Sequence, residues 1–349
     1  MNSNLFKKFI FLFIIFCVSG STVTAQVLPP GFEEEVILKI SPSIPAPKEN
    51  VSVRLENYST DLNKSNIIWS LDGIVQEQGV GKITYQFTAP EAGRQTTLKV
   101  DVQKNTGGTL TKSLQIAPAG LDLMYEANTY IPPFYKGRSL FSHQSIVTVA
   151  AIPDFTTNGA KVSKENIIYT WEKDNEVIQS ISGQGKDSAQ FLGKLISRPF
   201  TVTVTAESVN SNIKARKKIT INPIEPTVVL YENNPVQGSI FEKALSGTFN
   251  FDREEVGITA IPYFFSAQNK SDSSLKFSWF ENGAKIGNDL FGSDLIYTNI
   301  GRAKSGISNL QISVDHVQNI LQSGNNGFRV NVIGNEQSAT ISSDETNVF

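Results

Sequence analysis

Apolar and polar residues alternate with a period of two through most of residues 36–334, the spacing of strands that bury one face. Val51, Val53 and Leu55 share a face. So do Ile83, Tyr85 and Phe87, and then Leu98, Val100 and Val102. Phe200 to Ala206, Leu310 to Val314 and Phe328 to Val332 continue the pattern further along. Helical periodicity is weak, and Asp315 to Gln322 reads as no more than a turn.

Three stretches repeat one another inside this pattern. They are Ile67 to Gly73, Ile168 to Asn175 and Phe277 to Gly283; each is a short apolar strand carrying a tryptophan and ending in an Asp-Gly, Asp-Asn or Asn-Gly pair. Such pairs predict tight hairpins. Trp69, Trp171 and Trp279 are the only tryptophans, 102 and 108 residues apart. A later strand begins 29, 31 and 31 residues after them, at Leu98, Val202 and Leu310. A period near 100 residues is the size of one sandwich domain. The tryptophans therefore read as core markers, and a sugar-stacking role for them is the weaker reading. Gly79-Val80-Gly81 and Gly183-Gln184-Gly185 occupy matching places after two of the hairpins and read as turn glycines.

A second repeat concerns the joints. Tyr125-Glu126-Ala127-Asn128 and Tyr231-Glu232-Asn233-Asn234 lie 106 residues apart, each flanked by prolines. Proline-pinned segments are stiffer than Gly/Ser linkers. Tyr125, Glu126, Tyr231 and Glu232 are thus expected either on the first strand of a unit or at a junction packed on the preceding one.

Composition narrows the function. The chain has 349 residues, 40% hydrophobic and 18% charged, with a net charge of −2. That is globular, and without a basic stripe nothing favours nucleic acid. Residues 1–25 read as a secretory signal, with Lys7 and Lys8, an apolar run from Phe9 to Val18, and Val23-Thr24-Ala25 for cleavage. The run is too short to span a bilayer, and no later stretch qualifies. Cys17 is the only cysteine and lies in this leader, so no disulfide or thiol chemistry is expected in the mature chain. Residues 26–35 read as a mobile lead-in and 335–349 as a disordered tail.

Candidate chemistry is sparse. His143 and His316 are the only histidines, assigned to different units and without ligand-spaced partners. No nucleophile elbow, zinc helix or phosphate loop occurs. Glu33-Glu34-Glu35 and Glu254-Glu255 read as solvated charges rather than a hydrolytic acid pair. Glu126 and Glu232 could offer oxygens to calcium, but no Asp-x-Asp-x-Asp-Gly loop accompanies them. Neither calcium nor any cofactor is expected.

Ser41-Pro42-Ser43-Ile44-Pro45, then Val51-Ser52-Val53, a tryptophan strand ending in Asp-Gly, and Leu98 to Val102 together resemble bacterial immunoglobulin-like and PKD-type domains. The chain as a whole also resembles uncharacterised secreted proteins of small-genome, uncultured bacteria, which implies no activity. The resemblance implies an all-β chain of three tandem immunoglobulin-like antiparallel sandwiches after a signal peptide, each of about seven strands with the tryptophan between the sheets. The expected units are 36–118, 119–224 and 225–334. The expected function is a secreted or cell-surface, non-enzymatic array, acting as spacer, adhesion or assembly module through loops and sheet edges, its partner a protein or glycan of the envelope. The alternative is a carbohydrate-binding accessory module using surface aromatics, for which Tyr130, Phe134, Tyr135, Phe155, Tyr263, Phe264 and Phe265 are the candidates. A coplanar exposed row of those rings would favour it.

Overall fold

The computed structural model describes residues 35–157, 159–286, 292–298 and 306–333. The expected leader with Cys17, the lead-in as far as Glu34 and the tail lie outside the described residues. What is described is almost entirely strand, arranged as three sandwiches in tandem.

In the first sandwich a sheet of Ile37–Ser41, Asn50–Glu56 and Thr84–Thr88 faces one ordered Ile74–Val80, Asn66–Leu71, Thr96–Gln103, Thr109–Ile116. The second sets Ser188–Leu192, Ile146–Asp154 and Gly120–Ala127 against Glu176–Val177, Ile167–Lys173, Phe200–Ser208 and Lys214–Ile221. The third is larger. Gly238–Ala244, Thr227–Asn234, Glu255–Tyr263 and Asp294–Thr298 face Thr248–Phe251, Ser323–Val332, Gly306–His316, Leu275–Glu281 and Ala284–Ile286. Its described residues form nine strands where about seven were expected, because the segment after Asn234 folds back as two further strands. One of these, Thr248–Phe251, runs parallel to Ser323–Val332; the other named pairings are antiparallel.

Alternation places one apolar cluster inside each sandwich. Val51, Val53, Leu55, Leu98, Val100 and Val102 fill the first together with Trp69, all but excluded from solvent. Trp171 and Trp279 hold the same station in the second and third cores. The register agrees: Trp69 pairs with Val100, Trp171 with Val204, and Trp279 with Ile312. A buried indole N–H needs an acceptor. Each finds a backbone carbonyl beyond its own hairpin, at Lys82 (2.8 Å), Lys186 (2.9 Å) and Gly292 (3.2 Å). In the first two copies that carbonyl follows Gly81 and Gly185, both at positive φ, so the turn glycines bring the acceptor back over the ring.

The hairpin pairs are two-residue turns with both residues at positive φ: Asp72 and Gly73, Asp174 and Asn175, Asn282 and Gly283. This is the type I′ geometry. The first residue does more than turn the chain. Asp72 donates its N–H to Thr97 O and accepts the Thr97 N–H at Oδ1 (2.7 Å). Asp174 does the same with Thr201 and Asn282 with Asn309. A carboxylate or amide is needed there because the neighbouring strand presents a backbone N–H and C=O together.

Pro153 and Pro262 lie within strands without breaking a ladder. Ser188–Leu192 pairs only as far as Ala150, and Asp294–Thr298 only as far as Thr259. Each proline thus sits where its strand has a single neighbour, the position a missing N–H allows.

Candidate functional site

The repeated Tyr-Glu segments turn out to be first strands, not joints. Tyr125 pairs with Val149 and Tyr231 with Thr259, each inside its own sandwich. Arg138 lies over the Tyr125 ring, 3.8 Å from its centroid. Tyr231 packs edge-on to Phe241. Glu126 is exposed, and Glu232 pairs with Arg253 at 3.0 Å. Among the described residues no cluster of three His, Cys, Asp or Glu side chains is placed to hold a metal ion.

The contacts that join the second and third sandwiches come from residues 128–145 instead. Tyr130 donates its N–H to Phe265 O (2.7 Å), and its carbonyl accepts the Phe264 N–H (2.8 Å), so both of its backbone groups bond to the third sandwich. Tyr135 meets Tyr263 and Phe264 edge-on, with centroids 5.8 and 6.0 Å apart. Gln322, fully buried, donates through Nε2 to Ser142 Oγ, His143 O and Ser266 Oγ at 3.1, 2.5 and 2.9 Å. Its Oε1 accepts the Ser266 N–H at 2.7 Å. The linker closes the same joint, since Ile224 donates to Phe141 O.

Strain collects here too. Eight described non-glycine residues have positive φ. Four belong to the tryptophan hairpins and three, Phe134, Gln144 and Phe264, to this joint. Bulky residues adopt that conformation only when their surroundings hold them. For Phe264 the holding bond is the one to Tyr130 O, and for Gln144 it includes the Leu321 N–H on its side-chain oxygen.

Both histidines line this region, and each ring is used structurally. His316 Nδ1 accepts from Gln318 N and Asn319 N, so the proton sits on Nε2, facing Ser266 O at 3.0 Å. His143 Nδ1 accepts from Ser197 N, and its Nε2 lies 3.1 Å from Glu225.

The candidate aromatics do not make a binding row. Phe155 and Phe265 are core residues at 2% and 0% exposure, and Phe264 is buried at 8%. They are apolar and find a core or an interface to fill, so their expected exposure is corrected. Tyr130 and Tyr263 are half-buried at the joint, and burial followed by the bond to Tyr231 pushes the Tyr263 hydroxyl well above its usual range. Tyr135 remains partly open and Phe134 fully so. The touching rings are inclined at 56–76° to one another, not coplanar.

The connection between the first and second sandwiches is three residues long, Ala117, Pro118 and Ala119. Ile116 ends in the first core and Ala119 begins the second. Pro118 bridges to Lys214.

Two surface concavities lie on single sandwiches. One, of about 500 Å³, lies in the second sandwich above Phe141 and Phe200, with Lys173, Lys194 and Arg198 on its walls. The other, of about 700 Å³, lies on the third sandwich over Gly306–His316 and Ser323–Val332. Acid pairs are not gathered in either: Glu254 and Glu255 are exposed, and Glu35 faces Lys112. No described helix is long and apolar enough to cross a membrane.

No protein-family model matches the chain, and no curated protein sequence does. Among solved structures it is similar to the fibronectin(III)-like modules of Clostridium thermocellum CbhA, at 10% identity over 54% of this chain and 94% of that one, TM-score 0.26. It is also similar to three N-terminal domains of the bacteriophage RB49 outer capsid protein Hoc, at 11% identity over 86% and 99%, TM-score 0.25. A Bacteroides ovatus surface glycan-binding protein in complex with a mixed-linkage heptasaccharide matches at 10% identity over 86% and 71%, TM-score 0.22. The resemblance to proteins of uncultured bacteria finds no support in these comparisons. Scores this low carry no functional argument, and the architecture rests on the strands and cores above.

Proposed function

We propose that the chain is a secreted or cell-surface, non-enzymatic array of three immunoglobulin-like units, 36–118, 119–224 and 225–334, serving as a spacer or adhesion module at the cell envelope. The observation that carries this reading is the joint of the second and third units. Two backbone bonds, a buried glutamine and three touching rings fix one sandwich on the next. A surface that needs only to be displayed at a distance benefits from such stiffness. The three-residue connection at Pro118 supports it at the other end.

In this reading contacts use loops and sheet edges. Lys214–Ile221 is one open edge, with Lys217 and Lys218 exposed and no carboxylate within ion-pair reach among the described residues. Surface proteolysis of intact cells, followed by detection of the chain, tests the placement. Digestion with cytoplasmic markers intact is expected. Protection until lysis, with the chain in the soluble cytoplasmic fraction, would refute it.

A further inference from the structure

We propose that the outer face of the third sandwich's larger sheet is a binding groove for a glycan chain bearing carboxylates. The inference goes beyond the array reading, which does not depend on any ligand at this face.

The groove follows from strand alternation. Trp279, Leu310, Ile312, Phe328 and Val330 point into the core, so their neighbours along each strand face outward. Pairing sets these outward residues in rows across three strands. Phe280 lies beside Gln311 and Gln311 beside Gly327, while Ser313 stands next to Asn325 and Asn309 next to Arg329. Two steps between outward residues on one strand span roughly 14 Å, room for a short stretch of sugar units.

Gly327 makes the trough. Its φ is not in the left-handed region, so backbone freedom is not the reason for glycine here. A Cβ would instead stand 2.7 Å from Leu310 O and 2.9 Å from Gln311 Cγ. The middle of the face therefore carries no side chain, and the concavity of about 700 Å³ lies over it.

The lining has an unusual chemistry for an exposed sheet face, which more often carries opposed charges. Here it is amide, hydroxyl, one half-exposed ring and one cation. The side chains of Asn309, Gln311 and Asn325 have no hydrogen-bond partner among the described residues. Arg329 likewise has no carboxylate in ion-pair reach; no acidic residue lines the groove itself, and the nearby Asp315 takes the Ser313 hydroxyl at the end away from Arg329. An amide offers donors and an acceptor together, matching the mixed character of sugar hydroxyls. A phenyl ring offers a flat apolar surface to the C–H face of a pyranose. A guanidinium without a partner favours a carboxylate, which it binds through two parallel N–H···O bonds.

Other occupants fit less well. An added peptide strand pairs in the plane of a sheet along its edge, whereas the groove is formed by side chains standing out of that plane across three strands. Nucleic acid needs several cations along its path, and Arg329 is the one cation among the residues that line the groove.

The test is calorimetric titration of the purified chain with oligogalacturonates and, in parallel, with neutral cello-oligosaccharides. Binding of the acidic series is expected. Phe280→Ala and Arg329→Gln should each weaken it by about tenfold or more, with Arg329→Lys intermediate and the thermal midpoint unchanged in all three. Both side chains face outward, so folding should survive; the unfolding scans verify that. No binding, binding indifferent to both substitutions, or equal affinity for the neutral series would overturn the proposal. The envelope placement would stand or fall on the proteolysis result alone.

Discussion

Replacing Gln322 by alanine should uncouple the second and third sandwiches. The side chain is fully buried and makes contacts to Ser142, His143 and Ser266, with partners up to 180 residues away in sequence. Its two amide hydrogens are shared among three acceptors, and its oxygen takes the Ser266 N–H. Truncation removes these bonds and leaves at least His143 O and Ser266 N without them inside the joint. A buried group left unpaired costs about 1–3 kcal/mol. Part of this is recovered by water or local relaxation, so a net loss of roughly 3 kcal/mol is expected. If the two sandwiches unfold as one unit of about 200 residues, each kcal/mol lowers the midpoint by about 2–4 °C. Differential scanning calorimetry should then show the shared transition falling by roughly 6–12 °C and separating into two. Ser323→Ala, at the exposed neighbouring position, serves as the control. A midpoint that moves by less than about 2 °C, with the transition still single, would refute the reasoning.

Three further outcomes follow from the same geometry. Trp171→Ala should destabilise the second sandwich by about 3–5 kcal/mol in urea unfolding, because the indole is fully buried and bonded to Lys186 O; a loss under about 1 kcal/mol would contradict its core role. The Tyr169 hydroxyl is buried with no hydrogen-bond partner among the described residues, and burial, with Asp187 and Glu165 nearby, pushes it up to about 12. Tyr169→Phe should therefore leave stability unchanged or raise it by about 1 kcal/mol, and a clear loss in the same assay would reveal a bond not accounted for. Asp72 is held below the ordinary value of 3.8 by the Thr97 N–H and then the Thr96 hydroxyl, and Asp272 by the Gln268 and Ser274 N–H groups. A folded value below the unfolded one gives stability that is present above the unfolded value and lost as pH falls through the folded one. Stability should thus be level near neutrality and decline below about pH 4; Asp272→Asn should make that decline shallower, and an identical decline would count against the assignment.

Much of the architecture is legible in the sequence because its causes are local. A tryptophan between apolar neighbours, a turn pair three residues on, and a period near 100 residues each follow from strand alternation and turn chemistry. The joint is not legible in the same way. Gln322 is polar and sits in a loop, and nothing near it in sequence announces that Ser142 and His143 will surround it. The Tyr125 and Tyr231 segments drew attention through their prolines. Leu121, Leu123 and Tyr125 do alternate as a strand does, but it is the pairing with Ile146–Asp154 that sets them in a sheet. Phe264 and Phe265 illustrate the converse difficulty, since adjacent aromatics in a loop read as surface until the third core takes Phe265 and the second sandwich covers Phe264. The groove had one visible signal. Asn309, Gln311 and Asn325 set amides, and Ser313 a hydroxyl, at outward positions near Arg329, but only pairing shows that Phe280 and Gly327 join them.

A stiff array requires the second and third sandwiches to move as one body. Paired spin labels on Lys217→Cys and Lys276→Cys, in a mature chain otherwise expected to lack cysteine, report the distance across the joint by pulsed electron resonance. A single narrow distance distribution, broadened by Gln322→Ala, is the predicted result. A broad distribution in the unaltered chain, unchanged by that substitution, would contradict it.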